Sequence, residues 1–294
     1  MVLDRVNERL PSGVRLGYGT LYLYREGRPS AVERIARWRH IDRWHDLGIV
    51  SFVLSMGLAL ATLLAVGVNM LQAQPEPTPA QEPVNLLAIP GVNDFLPLSA
   101  AAYIVIALLI GAIAHEFAHA VAMRAEDVRI EEFGIGCLFL VPMAAYVKPD
   151  DEAFENASVR SRARILAAGA SANLLVFLIT SLLFFLPWVG SPIDAFVVYF
   201  GAIYGQPFPT AETVASLGIA TNLLFWTWFF NLNLAFVNVL PVAFLDGGRI
   251  TGMVGELVEL PRLDARSARI GITAVATLGT IGLFVLAVFS PLLI

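Results

Sequence analysis

The sequence predicts an all-α polytopic membrane protein of about five to six transmembrane helices. Three observations predict it. Hydrophobic residues make up 57% of the 294 and mean hydropathy is +0.71, where an ordinary soluble domain is about 45–50% apolar. Five stretches reach the roughly 20 apolar residues that about 30 Å of hydrocarbon requires: 47–71, 98–124, 163–187, 218–243 and 270–293. All 19 Lys and Arg fall in three segments, 1–46, 124–164 and 249–269, which leaves 72–97 and 188–217 with none.

In chain order, residues 1–46 are polar and hold nine Arg. A stretch of that kind before the first apolar run is unlike a secretory signal peptide. The first span is 47–71. Segment 72–82, QAQPEPTPAQE, is Pro-rich and reads as a flexible external linker. The second span is 98–124. Residues 133–147, FGIGCLFLVPMAAYV, are apolar but too short for a normal span, and Gly134, Gly136 and Pro142 interrupt them. They read as a re-entrant or hairpin segment packed against protein, because irregular backbone at membrane depth must not face lipid. Spans 163–187, 218–243 and 270–293 follow. Trp38 and Trp44 before the first span, and Trp226 and Trp228 near the fourth, read either as interface anchors or as packing residues. Cys137 is the lone cysteine, so an intrachain disulfide and a Cys-based zinc site are both excluded.

The charge bias orients the chain. Cytoplasmic loops carry the excess of Lys and Arg, which places the N-terminus and the loops 125–162 and 244–269 inside. An odd number of spans then leaves the C-terminus outside. The N-terminal segment is expected to lie on the inner surface through its arginines or to dock on the cytoplasmic face of the protein.

The second span carries GAIAHEFAHAVAM, residues 111–123. An ionisable side chain at bilayer depth costs roughly 2.5–3.5 kcal/mol on insertion scales, so His115, Glu116 and His119 need a reason to be there. Four residues apart on a helix, both histidines share one face and reach one ion. His-Glu-x-x-His is the arrangement of two zinc ligands with a glutamate as general base. A catalytic zinc needs a third protein ligand and an open position for water. Asp246 is the candidate. It follows the fourth span and Pro241 and precedes Gly247-Gly248, where a broken helix would expose its end. His40 and His45 precede the first span in a charged segment and are expected at the surface. Asn238, eight residues before Asp246, is placed either to hold a developing oxyanion or to make a helix–helix hydrogen bond. For Asn233 the helix–helix bond is favoured.

These residues resemble a known family. His115-Glu116-Phe117-Ala118-His119, Asn238-Val239-Leu240-Pro241 and Leu245-Asp246-Gly247-Gly248 together are similar to the site-2 protease family of intramembrane zinc metalloproteases. The likeness covers roughly 98–250. Phe133 to Lys148 looks like the family's membrane-associated β-hairpin, and Ala168-Gly169-Ala170-Ser171-Ala172-Asn173 resembles its Ala-Gly-Pro-x-x-Asn signature, with Ala170 where proline is usual. Segment 188–217 is too short for a PDZ domain, which points to the prokaryotic-type branch without one.

The resemblance implies a three-helix catalytic core within 98–250 (spans 98–124, 163–187 and 218–243), flanked by the N-terminal segment 1–46, the first span 47–71, and a cytoplasmic connection with a final span, 251–294. It implies one Zn2+ per chain held by His115, His119 and Asp246, with Glu116 and Asn238 as catalytic residues. The expected substrate is a single-span transmembrane protein met in the lipid bilayer of the cell membrane, and no nucleic-acid partner is expected. The 133–147 segment would offer an edge for strand addition to an unwound substrate. Two rivals use the same residues. A metal-ion transporter needs no general base at Glu116 and usually more ligands along a path. A catalytically inactive binding protein of this fold would not need Glu116 intact. A di-iron oxidase needs more ligands than the chain supplies.

Overall fold

The structure is a computed structural model that describes residues 6–7, 9–17, 19–27, 29–82, 84–85, 89–138, 141–257 and 264–293. The chain forms two compact units, one from the N-terminus to Phe52 with Leu108–Val176, the other Val53–Ala107 with Phe177 to the C-terminus.

The first unit contains a feature that an all-α expectation omits. It is a four-stranded antiparallel sheet in the order β1-β2-β3-β4 (β1, Val14–Leu16; β2, Thr20–Glu26; β3, Ile130–Leu138; β4, Val141–Pro149). The expected hairpin is β3–β4, although its tip, 139–140, lies outside the described residues. Strands β1 and β2 come from the N-terminal segment, which docks on the hairpin rather than lying apart. The two glycines of the hairpin explain the fit. Tyr22 pairs with Gly136 and Tyr24 with Gly134, and a Cβ on Gly134 would collide with the Leu23 carbonyl. Each tyrosine ring thus sits across from a residue with no side chain, a pairing that strengthens glycine-containing strands. Arg15 locks the sheet from the other strand. Its guanidinium donates to Glu132 at 2.7 Å and lies 5.5 Å and 5.1 Å from the ring centres of Tyr22 and Tyr24.

Helices α1 (Ser30–Ala36) and α2 (Ile41–Ala73) follow the sheet strands, α3 is Ala101–Ala125, α4 is Asp151–Asn156 and α5 is Val159–Leu183. Within the first unit an ion cluster joins the helix ends. Arg164 reaches Asp42, Asp46 and Glu126 at 3.1, 2.9 and 2.8 Å, and Arg160 adds a second bond to Asp46 at 2.7 Å. Bonds shared among several charges hold geometry better than an isolated surface pair does. His45 departs from its expected surface position. It is 4% exposed, because α2 starts at Ile41 and turns this residue into the unit. His40 accepts a hydrogen bond from Arg39.

The second unit adds α6 (Pro192–Phe200), α7 (Ala211–Ser216), α8 (Gly218–Val239), α9 (Asp246–Leu257) and α10 (Ala265–Leu293). Its core is aromatic. Tyr199, Phe225 and Trp226 are fully buried, so Trp226 is a packing residue, whereas Trp38 and Trp44 are 49% and 41% exposed, as anchors would be. Asn222 of α8 is satisfied by its neighbours: Tyr199 Oη of α6 donates to Asn222 Oδ1 at 2.6 Å, and the Asn222 amide donates to the Val214 carbonyl of α7.

Among the described residues, four helices are long and apolar enough to cross a membrane: Ile41–Ala73, Leu98–Ala125, Val159–Leu183 and Ala265–Ser290. The fourth expected span, 218–243, is the 22-residue α8. It stops before Pro241, and Asn222, Asn231, Asn233 and Asn238 lower its apolar character. The Pro-rich segment is not simply a linker. Pro79–Gln81 form a 3-10 turn closed by a capping box between Thr78 and Gln81, and Phe95 and Leu96 are buried.

Candidate metal centre

His115, Glu116 and His119 occupy consecutive turns of α3, and both histidines are buried. The side-chain amide of Asn173, fully buried on α5, donates to the Gly111 carbonyl at 2.9 Å. That bond fixes the Asn173 oxygen as the atom 2.7 Å from His115 Nδ1. His119 Nδ1 lies 2.7 Å from the Ile165 carbonyl. Both partners only accept, so both Nδ1 atoms carry the hydrogen, and in a neutral imidazole the Nε2 atoms are then bare acceptors. These two Nε2 atoms face each other at 3.0 Å, with ring centres 4.6 Å apart.

Two buried lone pairs pointed at one another repel unless a cation lies between them. The separation is near the roughly 3.3 Å between two nitrogens on a tetrahedral zinc with bonds of about 2.05 Å. The pairing of each imidazole N–H with an outer acceptor is also what holds metal-bound histidines in place. Gly169 completes the cradle. A Cβ there would stand 2.5 Å from Nε2 of both rings, so only glycine leaves the space open. The residues present therefore fit a metal ion.

Glu116 is half-buried, and its Oε2 accepts a hydrogen bond from the Val147 amide on β4 at 2.9 Å. It also borders a groove of about 450 Å³ within the first unit, lined mainly by apolar side chains of α3 and the sheet, among them Ile113, Phe117, Ile135 and Val147. A carboxylate at the edge of an apolar groove and one residue from a candidate metal ligand is placed to move a proton to or from a bound group.

In the second unit Asp246 is the first residue of α9 and is buried. The helix break expected here is the start of a new helix rather than the frayed end of an old one. Gly247 and Gly248 explain it. A Cβ on Gly247 would collide with the carbonyls of Val239 and Leu240, and one on Gly248 with that of Val242. The pair lets α9 begin directly against the chain leaving α8. The connection is pinned by the Ala243 amide, which donates to Thr277 Oγ1 at 3.0 Å. Gly255 packs against the backbone of Arg269 at the far end of α9.

Asp246 itself offers a buried carboxylate of the kind that can ligate a metal ion. Asn238 is half-buried, and its amide donates to the Leu234 carbonyl one turn back at 2.9 Å. Asn233 does the same to Phe229. The hydrogen bonds seen for both stay within α8 instead of joining two helices. Sequence reasoning missed Gly169 and Asn173 as parts of the centre. Both stand in the quoted Ala168–Asn173 signature, and a fully buried asparagine on an apolar helix was the available signal. The Ile165 carbonyl carries no sequence signal at all.

Comparison with known proteins identifies the family. A family model described as peptidase family M50 matches residues 103–281. An uncharacterized protein of Methanocaldococcus jannaschii is 26% identical over 289 residues, which cover 78% of this chain and 76% of that protein. No solved structure matches the chain at a significant level. The family match spans more than half of the chain and takes in both metal-site motifs, so the chain belongs to peptidase family M50, the site-2 protease family.

Proposed function

We propose that the protein is an intramembrane zinc metalloprotease that hydrolyses a peptide bond in or near the transmembrane helix of a membrane-anchored, single-span substrate. The observation that carries this reading is the facing pair of unprotonated Nε2 atoms of His115 and His119, 3.0 Å apart, with Glu116 between them in sequence. His115, His119 and Asp246 would hold one zinc ion. When bound, zinc supplies Lewis-acid polarisation of the scissile carbonyl and lowers the pKa of a water towards about 7.

The chain does the rest. Glu116 takes the proton of the attacking water and returns it to the leaving amine. Asn173 and the Ile165 carbonyl hold the two imidazoles in the metal-binding tautomer. Asn238 helps hold the oxyanion, for which its amide must turn away from Leu234. The groove beside Glu116 takes an unwound stretch of substrate, and β4, an outer strand of the sheet, offers it backbone partners. A helix shields its own carbonyls in internal hydrogen bonds, so substrates with weak helix formers near the cut are favoured. The charge bias supports a multi-pass protein of the cell membrane, with the N-terminus and the opening of the site on the cytoplasmic side.

The test is purified protein in detergent with a fluorescent single-span substrate, measuring bound zinc and cleavage together in wild type and Glu116→Ala. Zinc kept and cleavage lost is the expected result. Zinc kept and cleavage unchanged in the variant would assign the cleavage to a contaminating protease and leave a binding or transport role.

A further inference from the structure

A second groove of about 430 Å³ lies in the first unit, on the other side of Phe117 from the one beside Glu116. One wall is the first turns of α2 and the segment before them, through Trp38, Trp44 and His45. The other is α3 and α5, through Phe117 and the run from Ala168 past Ala172 to Val176. That run of α5 is about 12 Å long at 1.5 Å per residue, so the groove averages about 36 Å² in section. A substrate helix, about 10 Å across, does not fit it. A flexible hydrocarbon chain does. The volume is about three times the 150 Å³ cavity known to hold a benzene ring.

Two further observations say what kind of chain. His45 is 4% exposed and its Nδ1 has no hydrogen-bond partner. A buried polar nitrogen on an otherwise apolar wall calls for a ligand that brings one polar group. Residues 34–43 present four exposed arginines, Arg34, Arg37, Arg39 and Arg43, of which Arg37 pairs with Glu33, around two tryptophans exposed by nearly half. Indoles beside a basic cluster match the ester level and phosphate level of a bilayer surface.

We propose that this groove is a binding site for one anionic phospholipid. An acyl chain lies between α2, α3 and α5, a glycerol ester meets His45, and the phosphate meets the arginines. The site is separate from the zinc chemistry and does not rest on the protease reading. It does border it: Ala168 precedes Gly169, and Phe117 lies between the two metal ligands of α3. A bound chain would brace these two helices against each other.

Quenching of tryptophan fluorescence tests the proposal. The purified full-length protein is titrated in mixed micelles with phosphatidylglycerol brominated on its acyl chains, and separately with brominated phosphatidylcholine. The expected result is saturable quenching by the anionic lipid, half-complete at a mole fraction at least about threefold lower than for the zwitterionic one. The saturable part should vanish in Trp38→Phe/Trp44→Phe. It should also vanish in Ala172→Phe, which fills the groove, with helical circular dichroism confirming the fold. Arg34→Gln/Arg43→Gln, both exposed and outside the groove wall, should abolish the preference for the anionic lipid. Equal quenching by both lipids would overturn the headgroup site. Unchanged quenching in Ala172→Phe would overturn the groove as the place of the chain. Displacement of the lipid by a single-span substrate would assign the groove to substrate instead.

Discussion

Glu116 accepts the amide hydrogen of Val147 at 2.9 Å, which ties the histidine-bearing helix to an outer strand of the sheet. The carboxylate is thereby held at the border of the apolar groove. A glutamine can keep this bond through its carbonyl oxygen but cannot take a proton. Glu116→Gln should therefore retain zinc, measured by metal analysis, and lose cleavage by about 10²–10⁴-fold, the usual contribution of a general base. Loss of zinc together with activity would show that Glu116 holds the centre together.

Asn173 acts through His115. Asn173→Ala removes the acceptor of His115 Nδ1, and the ring is then free to turn and to change tautomer. Zinc affinity should fall about 10–100-fold, as it does when other outer partners of metal ligands are removed. Competition with a chelator reads this directly. Gly169→Ala should be more severe, since its Cβ occupies the space between the two rings.

Asp246→Ala should abolish tight zinc binding while the helices remain, as seen by circular dichroism. The variant leaves two imidazoles, one short of the three protein ligands of a catalytic zinc. Retention of one tightly held zinc would remove Asp246 from the ligand set.

Gly134→Val tests the sheet. The added side chain collides with the Leu23 carbonyl, and overpacking of this kind costs about 1–3 kcal/mol. Strands β1 and β2 should detach, which limited proteolysis of the N-terminal segment detects. Zinc should stay, because no metal ligand lies in the sheet. Substrate cleavage should fall, because β2 also borders the groove beside Glu116.

Tyr146 on β4 should titrate late. Burial, with Glu132 adding to it, pushes its hydroxyl from 10.0 up to about 12. The folded state holds this proton more tightly than the unfolded chain does. The contribution to stability is then complete below about pH 10 and disappears as pH rises towards 12. The tyrosinate absorbance difference between wild type and Tyr146→Phe should show a midpoint near 12, and a midpoint near 10 would mean that the ring is solvated.

Much of the metal site was legible because its chemistry is local. His115 and His119 need only the helix period to share a face, and their cost in an apolar run betrays them. Spans were legible for the same reason: length and hydropathy are properties of contiguous residues. The span at 218–243 was read too long because its apolar run continues to Val242 and Ala243, whereas Pro241 ends the helix.

The sequence by itself determined the apolar helices, the two-histidine motif with its glutamate, and the family. Only the tertiary structure decided that β1 and β2 join the hairpin, that His45 is buried, and that Asn173, Gly169 and the Ile165 carbonyl set the imidazoles. The reason is physical. Tyr24 meets Gly134 from 110 positions away, and His119 is oriented by a backbone carbonyl that any residue at 165 would present. Contacts between distant segments, and contacts made by backbone atoms, leave no periodic trace in the order of side chains.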